Sequence, residues 1–305
     1  MNIEKLFYID DLDNKKISYK RFFSDLSGIS EISILCKKNS IYEYFLYISA
    51  SLISGTPIVL LDSDLSDSEI KELCGNDSFL QKNNVNIPQV TSFEEFLSLI
   101  KAGASSWTCT LFTSGTTGIP KRISHSLKSL ARQAKISPKH SDDIWAFAYN
   151  PTHIAGLQVF FQALFNANTI VRLFGLPAKE LIETIQRESI THISATPTFF
   201  RMLPAPEKPI QSVRAITSGG EKFDARAMEK LSKAFPSARI SNIYASTEMG
   251  SVLASKGDIF TPDENTKKLL QIKDGELWIH KSLAGESENI TLSLSLIHIS
   301  EPTRH

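Results

Sequence analysis

Between residues 31 and 244 the chain alternates short apolar runs with longer runs of helical periodicity, and this alternation restricts the fold more than any single motif. EISILC (31–36), PIVLL (57–61), WTCTLFT (107–113), IWAFAYN (144–150), TIVRLF (169–174), THISA (191–195), the start of VRAITSGG (213–220) and ARISNIY (238–244) read as strands. Residues 40–54, SDSEIKELC (66–74), TSFEEFLSLI (91–100), LKSLARQAK (127–135), GLQVFFQALF (156–165), PAKELIETIQRE (177–188) and ARAMEKLSKAF (225–235) read as helices. Two of them carry a capping-box opening, Ser66 with Glu69 and Thr91 with Glu94. Short strands alternating with amphipathic helices predict an α/β fold of mainly parallel sheets flanked by helices. Ligands of such folds sit at the carboxyl ends of strands. Gly/Ser/Thr/Glu-rich segments follow WTCTLFT, VRAIT and ISNIY, which is where such a site would lie.

Bulk properties remove several classes of function. Formal net charge is zero with acids and bases interspersed, so neither a nucleic-acid partner nor an anionic membrane is expected. Cys36, Cys74 and Cys109 are odd in number and far apart, which suits packing thiols in a reduced, cytoplasmic setting better than disulfides or a metal site. The opening MNIEKLFYIDDLDNKK lacks the apolar core of a signal peptide. The uncharged run from Tyr44 to Leu61 just reaches spanning length, but Gly55-Thr56-Pro57 interrupts it. A buried helix, a turn and a strand are expected there, with no membrane span.

The densest cluster of chemistry-bearing residues is LFTSGTTGIPKR (111–122). Thr113, Ser114, Gly115, Thr116, Thr117 and Gly118 follow an apolar strand and precede Pro120 and Lys121. Two readings fit equally: a polar surface loop, or a backbone cradle for phosphate oxygens with a lysine for charge. The segment has neither G-x-x-x-x-G-K-[ST] nor G-x-G-x-x-G spacing, so it is not the loop of ordinary nucleotide hydrolases.

The segment does match [ST]-S-G-[ST]-T-G-x-P-K at every position from Thr113 to Lys121. It resembles the phosphate loop of the acyl-adenylate-forming enzymes, which include the acyl-CoA synthetases. The likeness continues in the family's order. TSGGEKF (217–223) resembles its glycine-rich adenine segment, NIYASTEMG (242–250) its Y-G-x-T-E motif, and GELWIH (275–280) its G-E-L-x-[IV] strand. NPTHIAGLQVF (150–160) resembles its acyl-pocket segment. The resemblance implies the large N-terminal domain of that family, with a small β-rich part near the C-terminus, over residues 1–293.

It also implies ATP-dependent activation of a small carboxylic acid, acyl or aryl, as an acyl-AMP. Transfer would follow to a thiol, either coenzyme A or phosphopantetheine on an acyl carrier protein. Attack of a carboxylate on the α-phosphate joins two anions, so charge neutralisation and in-line positioning are what a protein must supply. By resemblance, the 113–118 loop and Lys121 hold the β- and γ-phosphates, Thr247 the α-phosphate, and Glu248 the Mg²⁺ ion, an oxygen-seeking cation. Tyr244 would stack on adenine beside Ala245 and Ser246, while Gly219, Gly220 and Glu221 let backbone approach the base. Ala245 stands where the family usually has glycine.

His153 and Gly156 would border the acyl pocket, although a histidine beside apolar sequence is also a common hydrogen-bonded core residue. The aspartate with which amino-acid-activating relatives bind an ammonium is missing from NPTHIAG. His125 lies too close to Lys121 to take over the role of the family's later histidine.

Past GELWIH, the family continues with a T-G-D segment and a small domain bearing a closing lysine, and neither is recognisable in the last 25 residues. LSLIHISEPTR (294–304) is a one-frame translation of a transposase-type sequencing adapter, so 294–305 is expected not to be native. A chain without the small domain is expected to bind ATP weakly and to be nearly inactive. The alternative expectation is a non-catalytic nucleotide-binding protein. An ATP hydrolase is a third, disfavoured by the absent Walker spacing.

Overall fold

The computed structural model describes residues 1–75, 82–113, 120–219, 223, 225–246, 250–255, 260, 262, 264–273 and 276–280. Strands β1 (Leu6–Asp10) and β2 (Lys15–Ser18) form a hairpin ahead of helix α1 (Tyr19–Ser27), whose N-cap Ser18 accepts from the Arg21 amide. The expected strand EISILC is two strands in different sheets, β3 (Glu31–Ser33) and β4 (Leu35–Lys37). The intervening Ile34 carbonyl accepts from the Val59 amide at 2.7 Å, which turns the chain from one sheet to the other.

Helix α2 (Ile41–Ser54) opens on a capping box of Ser40 and Glu43, closes on Gly55 at φ 69°, and is followed by strand β5 (Ile58–Leu61). The uncharged run is thus a helix, a turn and a strand, as its interruption predicts. Among the described residues no helix is long and apolar enough to cross a membrane.

Helix α3 (Asp67–Cys74) has the expected box of Ser66 and Glu69. Strand β6 (Lys82–Asn84) precedes helix α4 (Phe93–Gly103), where the expected opening shifts by one residue. Ser92 is the N-cap and accepts from the Glu95 amide, while Thr91 donates through its amide and its hydroxyl to the Glu95 carboxylate, both at 2.9 Å.

Strands β7 (Thr108–Thr113) and β8 (Lys121–Ser126) form an antiparallel hairpin, so a strand intervenes where the sequence was expected to pass from loop to helix. The helix expected over 127–135 is only α5 (Leu127–Leu130). Beyond it, Gln162 Oε1 accepts from the Lys135 amide at 2.7 Å and Asn166 Oδ1 from the Ser137 amide at 3.1 Å. Side-chain partners for the backbone compete with continuation of the helix.

The remaining elements are β9 (Ile144–Phe147), α6 (Ile154–Phe165), β10 (Thr169–Arg172), α7 (Ala178–Arg187), β11 (His192–Ala195), α8 (Pro197–Met202), β12 (Ala215–Gly219) and α9 (Ala225–Ala234). After them come β13 (Arg239–Ser246), β14 (Gly250–Ser255), α10 (Glu264–Lys267), β15 (Leu270–Lys273) and β16 (Glu276–Ile279).

The main sheet runs β14-β13-β12-β11-β9-β10-β1-β2, parallel from β13 to β1 with an antiparallel strand at each edge. A second sheet, β4-β5-β7-β8, is parallel apart from β8. Two antiparallel pairs, β3-β6 and β15-β16, complete the described strands; the latter is the expected β-rich part.

Side chains alternate between two cores, as strand geometry requires. Phe147 and Ile170 point into one core, and Ala146 and Val171 into the other, on the opposite face of the main sheet. The first core is shared between the sheets. Phe45 of α2 stacks on Phe160 of α6 at 4.4 Å and meets Phe147 of β9 edge-on at 5.0 Å. The small core outside the second sheet collects Val59, Leu61 and Ile70. Cys36 and Cys109 are buried free thiols, and Cys74 is half-buried. Burial pushes the Cys36 thiol up to about 12, which suits packing and not reactivity.

Candidate functional site

The two described ends of TSGTTGIPK lie on the β7–β8 hairpin. Thr113, the last residue of β7, is the direct cross-strand partner of Lys121, the first residue of β8. The hairpin therefore holds the two ends of the motif side by side, with the lysine exposed. Ser114, Gly115, Thr116, Thr117 and Gly118 lie outside the described residues. His125, further along β8, is a buried histidine whose Nδ1 lies 3.2 Å from Ser129 Oγ.

The described parts of TSGGEKF and NIYASTEMG lie at the carboxyl ends of the neighbouring strands β12 and β13. Gly219 ends β12 opposite Ile243, and Tyr244 and Ala245 follow on β13. A Cβ on Gly219 would stand 3.0 Å from the Ile243 carbonyl oxygen, so close strand packing alone already favours glycine here. The half-buried Tyr244 ring packs edge-on to Phe260 at 6.1 Å. The register against β14 shifts between Tyr244, which faces Leu253, and Ala245, which faces Ser251, so the extra residue lies on β14. Gly220, Glu221, Thr247 and Glu248 lie outside the described residues, as does the Ser246 side chain.

Residues 150–153 of NPTHIAGLQVF form the turn from β9 into α6. His153 is the N-cap of α6; it makes no side-chain capping bond and is exposed, so it is not a core histidine. Gly156 has a packing reason: a Cβ there would lie 2.5 Å from the Asn150 carbonyl oxygen. Tyr149 stands just before this turn, and burial pushes its phenol up to about 12.

These pieces share one rim. Strands β9, β11, β12 and β13 are parallel neighbours, so the 150–156 turn, Ser194, Gly219 and Tyr244 follow one another along a single carboxyl edge. In the other sheet β5 and β7 are parallel neighbours, so Asp62, the residue after β5, lies on the edge that carries Thr113. Asp62 joins the edges: its Oδ1 accepts from Asn150 Nδ2 at 3.0 Å and from the Thr152 hydroxyl. Thr152 in turn donates its amide to Asn150 Oδ1 at 3.0 Å. Asp62, Asn150, Thr152 and Tyr149 were not singled out in the sequence. The only local signal was an acid placed directly after a wholly apolar strand.

Two mainly parallel sheets with glycine-bearing strand ends and a lysine-bearing hairpin on a joined carboxyl rim define an α/β protein of the edge-binding class. Residues 59–272 match the family model described as AMP-binding enzyme, and the chain belongs to that family.

Among curated relatives, 2-succinylbenzoate–CoA ligase of Bacillus subtilis (strain 168) is 26% identical over 243 residues, covering 71% of this chain and 49% of the ligase. Bacitracin synthase 3 of Bacillus licheniformis is 24% identical over 174 residues, covering 53% of this chain and 3% of the synthase. The chain thus spans at most about half the length of these relatives.

Among solved structures, o-succinylbenzoate CoA synthetase from Bacillus subtilis in complex with its acyl-adenylate intermediate superposes with a TM-score of 0.67 at 18% identity, covering 96% of this chain and 70% of that one. The same enzyme in complex with ATP and magnesium ion gives 0.64 at 18% identity, covering 94% and 70%. At this identity the likeness establishes the shared fold.

Proposed function

We propose that this chain is the nucleotide- and acid-binding part of an AMP-forming acid–thiol ligase. It would activate a small acyl or aryl carboxylic acid as acyl-AMP, for transfer to the thiol of coenzyme A or of carrier-protein phosphopantetheine. The observation that carries the proposal is the joined rim, where Asp62 ties the edge bearing Thr113 to the edge bearing Asn150 and Thr152.

On this reading, Thr113, Lys121 and the 114–118 loop hold the outer phosphates of ATP. Lys121 is exposed at the mouth of its hairpin and needs no rearrangement to meet an anion. Tyr244 and the Gly219–Glu221 segment flank the base, with Ala245 and Ser246 beside it. Thr247 bonds the α-phosphate. Glu248, two residues past the end of β13, offers the carboxylate oxygen that Mg²⁺ prefers, and the ion when bound neutralises phosphate charge. His153 and Gly156 border the acid. Its exposed place at the α6 N-terminus lets His153 face a carboxylate without breaking a capping bond. Two different kinds of thiol acceptor are in keeping with the likeness to both a CoA ligase and a peptide synthetase.

Residues 294–305 stay outside this reading as adapter-derived. A fresh read of the source DNA across the Ser293 codon checks this, and recovery of the same residues from native DNA overturns it.

Carboxylate-dependent exchange of pyrophosphate into ATP, measured on a form carrying the small domain, tests the activity. Glu248→Gln in that form is expected to lose Mg²⁺-dependent exchange by about a hundredfold or more while the fold persists. Exchange that is unchanged in Glu248→Gln refutes the role of Glu248. ATP binding without exchange for any carboxylate refutes the activity.

A further inference from the structure

The amino ends of the main sheet's strands lie about 13 Å from the rim, at roughly 3.3 Å per residue over four residues. A polar cluster that the rim does not use sits there. Asp143 immediately precedes β9, His192 opens β11, Arg214 precedes β12, and His140 ends a short 3₁₀ turn over 138–140. Asp143 is 1% exposed. Its Oδ2 faces both imidazoles, with His140 Nδ1 at 2.8 Å and His192 Nε2 at 3.6 Å, while its Oδ1 faces Arg214 at 3.5 Å. One ligand atom from each of His140, Asp143 and His192 lies within 4.8 Å of the others, the one such grouping among the described residues.

We propose that His140, Asp143 and His192 form a site for one divalent ion of the zinc class, bound through His140 Nδ1, Asp143 Oδ2 and His192 Nε2, with water in the fourth position.

Two imidazoles and a carboxylate are a ligand set that suits zinc and its neighbours in the first transition row. Ligands about 2.0–2.1 Å from a tetrahedral ion stand roughly 3.3 Å from one another. The observed 2.8 and 3.6 Å lie on either side of that value, and the two imidazole nitrogens are within 4.8 Å of each other, so holding the ion requires the histidines to close around it. His192 is already oriented for the task. Its Nδ1 lies 2.8 Å from the Thr191 hydroxyl, and Trp145 stacks on its ring at 4.6 Å, which leaves Nε2 turned to Asp143. An outer hydrogen bond on the second ring nitrogen is the usual support of a ligating histidine. His140 is held through its carbonyl, which accepts from Asn168 Nδ2 at 2.6 Å. Its buried Nε2 makes no hydrogen bond, so nothing on that side of the ring opposes a small shift.

The surrounding charge narrows which ions fit. Arg214 occupies Oδ1, which leaves Asp143 a single-oxygen ligand. Lys5 donates to the Ser141 carbonyl and adds a second cation close to Asp143. With Arg214, Lys5 and Arg239 nearby, affinity has to come from the imidazoles and not from excess negative charge. Zinc and cobalt are therefore favoured over magnesium and calcium, which prefer oxygen ligands. The bound ion would pin the start of β9 to the start of β11.

The test uses the full chain after chelator treatment, titrated with Co²⁺ by visible absorption and with Zn²⁺ by calorimetry. One equivalent is expected, with a tetrahedral-type cobalt spectrum that Zn²⁺ displaces and Mg²⁺ does not. His140→Ala and His192→Gln should each weaken binding about tenfold or more, while alanine at His298 and His305 leaves it intact. No saturable binding by the unaltered chain overturns the proposal, as does binding that survives both site variants. If His192→Gln fails to fold, His140→Ala decides, because its side chain is on a surface turn and 20% exposed. None of these readouts depends on adenylation.

Discussion

Asp62 follows the last apolar residue of β5, and its carboxylate binds partners 88 and 90 residues further along the chain. Removing it takes the acceptor from the Asn150 amide and leaves the buried Thr152 hydroxyl with Asn150 Oδ1 alone, 2.9 Å away. Asp62→Ala is therefore expected to cost about 1–3 kcal/mol in urea denaturation. Asp62→Asn should cost less, since its amide oxygen can still accept. An unchanged midpoint in Asp62→Ala would remove the link between the two edges. At this scale, legibility followed locality. Thr113 and Lys121 were readable because a contiguous motif names them, and the hairpin then sets them opposite each other. Asp62 was not readable, because what gives it meaning lies on another sheet. Gly156 was readable only as a pocket residue, whereas the Asn150 carbonyl 2.5 Å from its missing Cβ is a matter of packing.

Elements were legible where their ends are decided by nearest neighbours. The capping boxes at Ser66 and the left-handed stop at Gly55 need nothing beyond a few adjacent residues. Where distant groups decide, pattern alone misleads. The run LKSLARQAK has helical composition, yet the helix stops at Leu130, and further on the Gln162 and Asn166 side chains take up the Lys135 and Ser137 amides. Gln162 Nε2 and Asn166 Nδ2 also donate to the Lys135 carbonyl, at 3.1 and 3.0 Å. The double change Gln162→Ala/Asn166→Ala should therefore release this strap. Amide exchange at Lys135 and Ser137 is expected to quicken by about tenfold or more, while the α6 interior keeps its protection. Unaltered exchange at both amides would mean that something other than α6 fixes the segment. The β1–β2 hairpin illustrates the same limit, since β1 earns its place only by pairing with β10 some 160 residues later.

Over the whole molecule, alternation announced the parallel α/β class, but not that the strands divide between two sheets. That division depends on which core each strand face enters, and the shared core under Phe45, Phe147 and Phe160 is a three-dimensional fact. It has a functional corollary. If nucleotide and acid bind across both edges, a ligand must quieten the two sheets together. A stable acyl-AMP analogue is expected to slow amide exchange in three places at once: at Thr113 and Lys121, in the 150–156 turn, and at Tyr244 and Ala245. The amino ends of β9 and β11 should stay unaffected, because they lie a strand's length away. In Asp62→Ala the protection should persist at Tyr244 but weaken in the 150–156 turn, since the bond that carries one edge to the other is gone. Protection confined to one sheet in the unaltered chain would mean that the edges are separate surfaces, and the joined-rim reading of the site would fall with it.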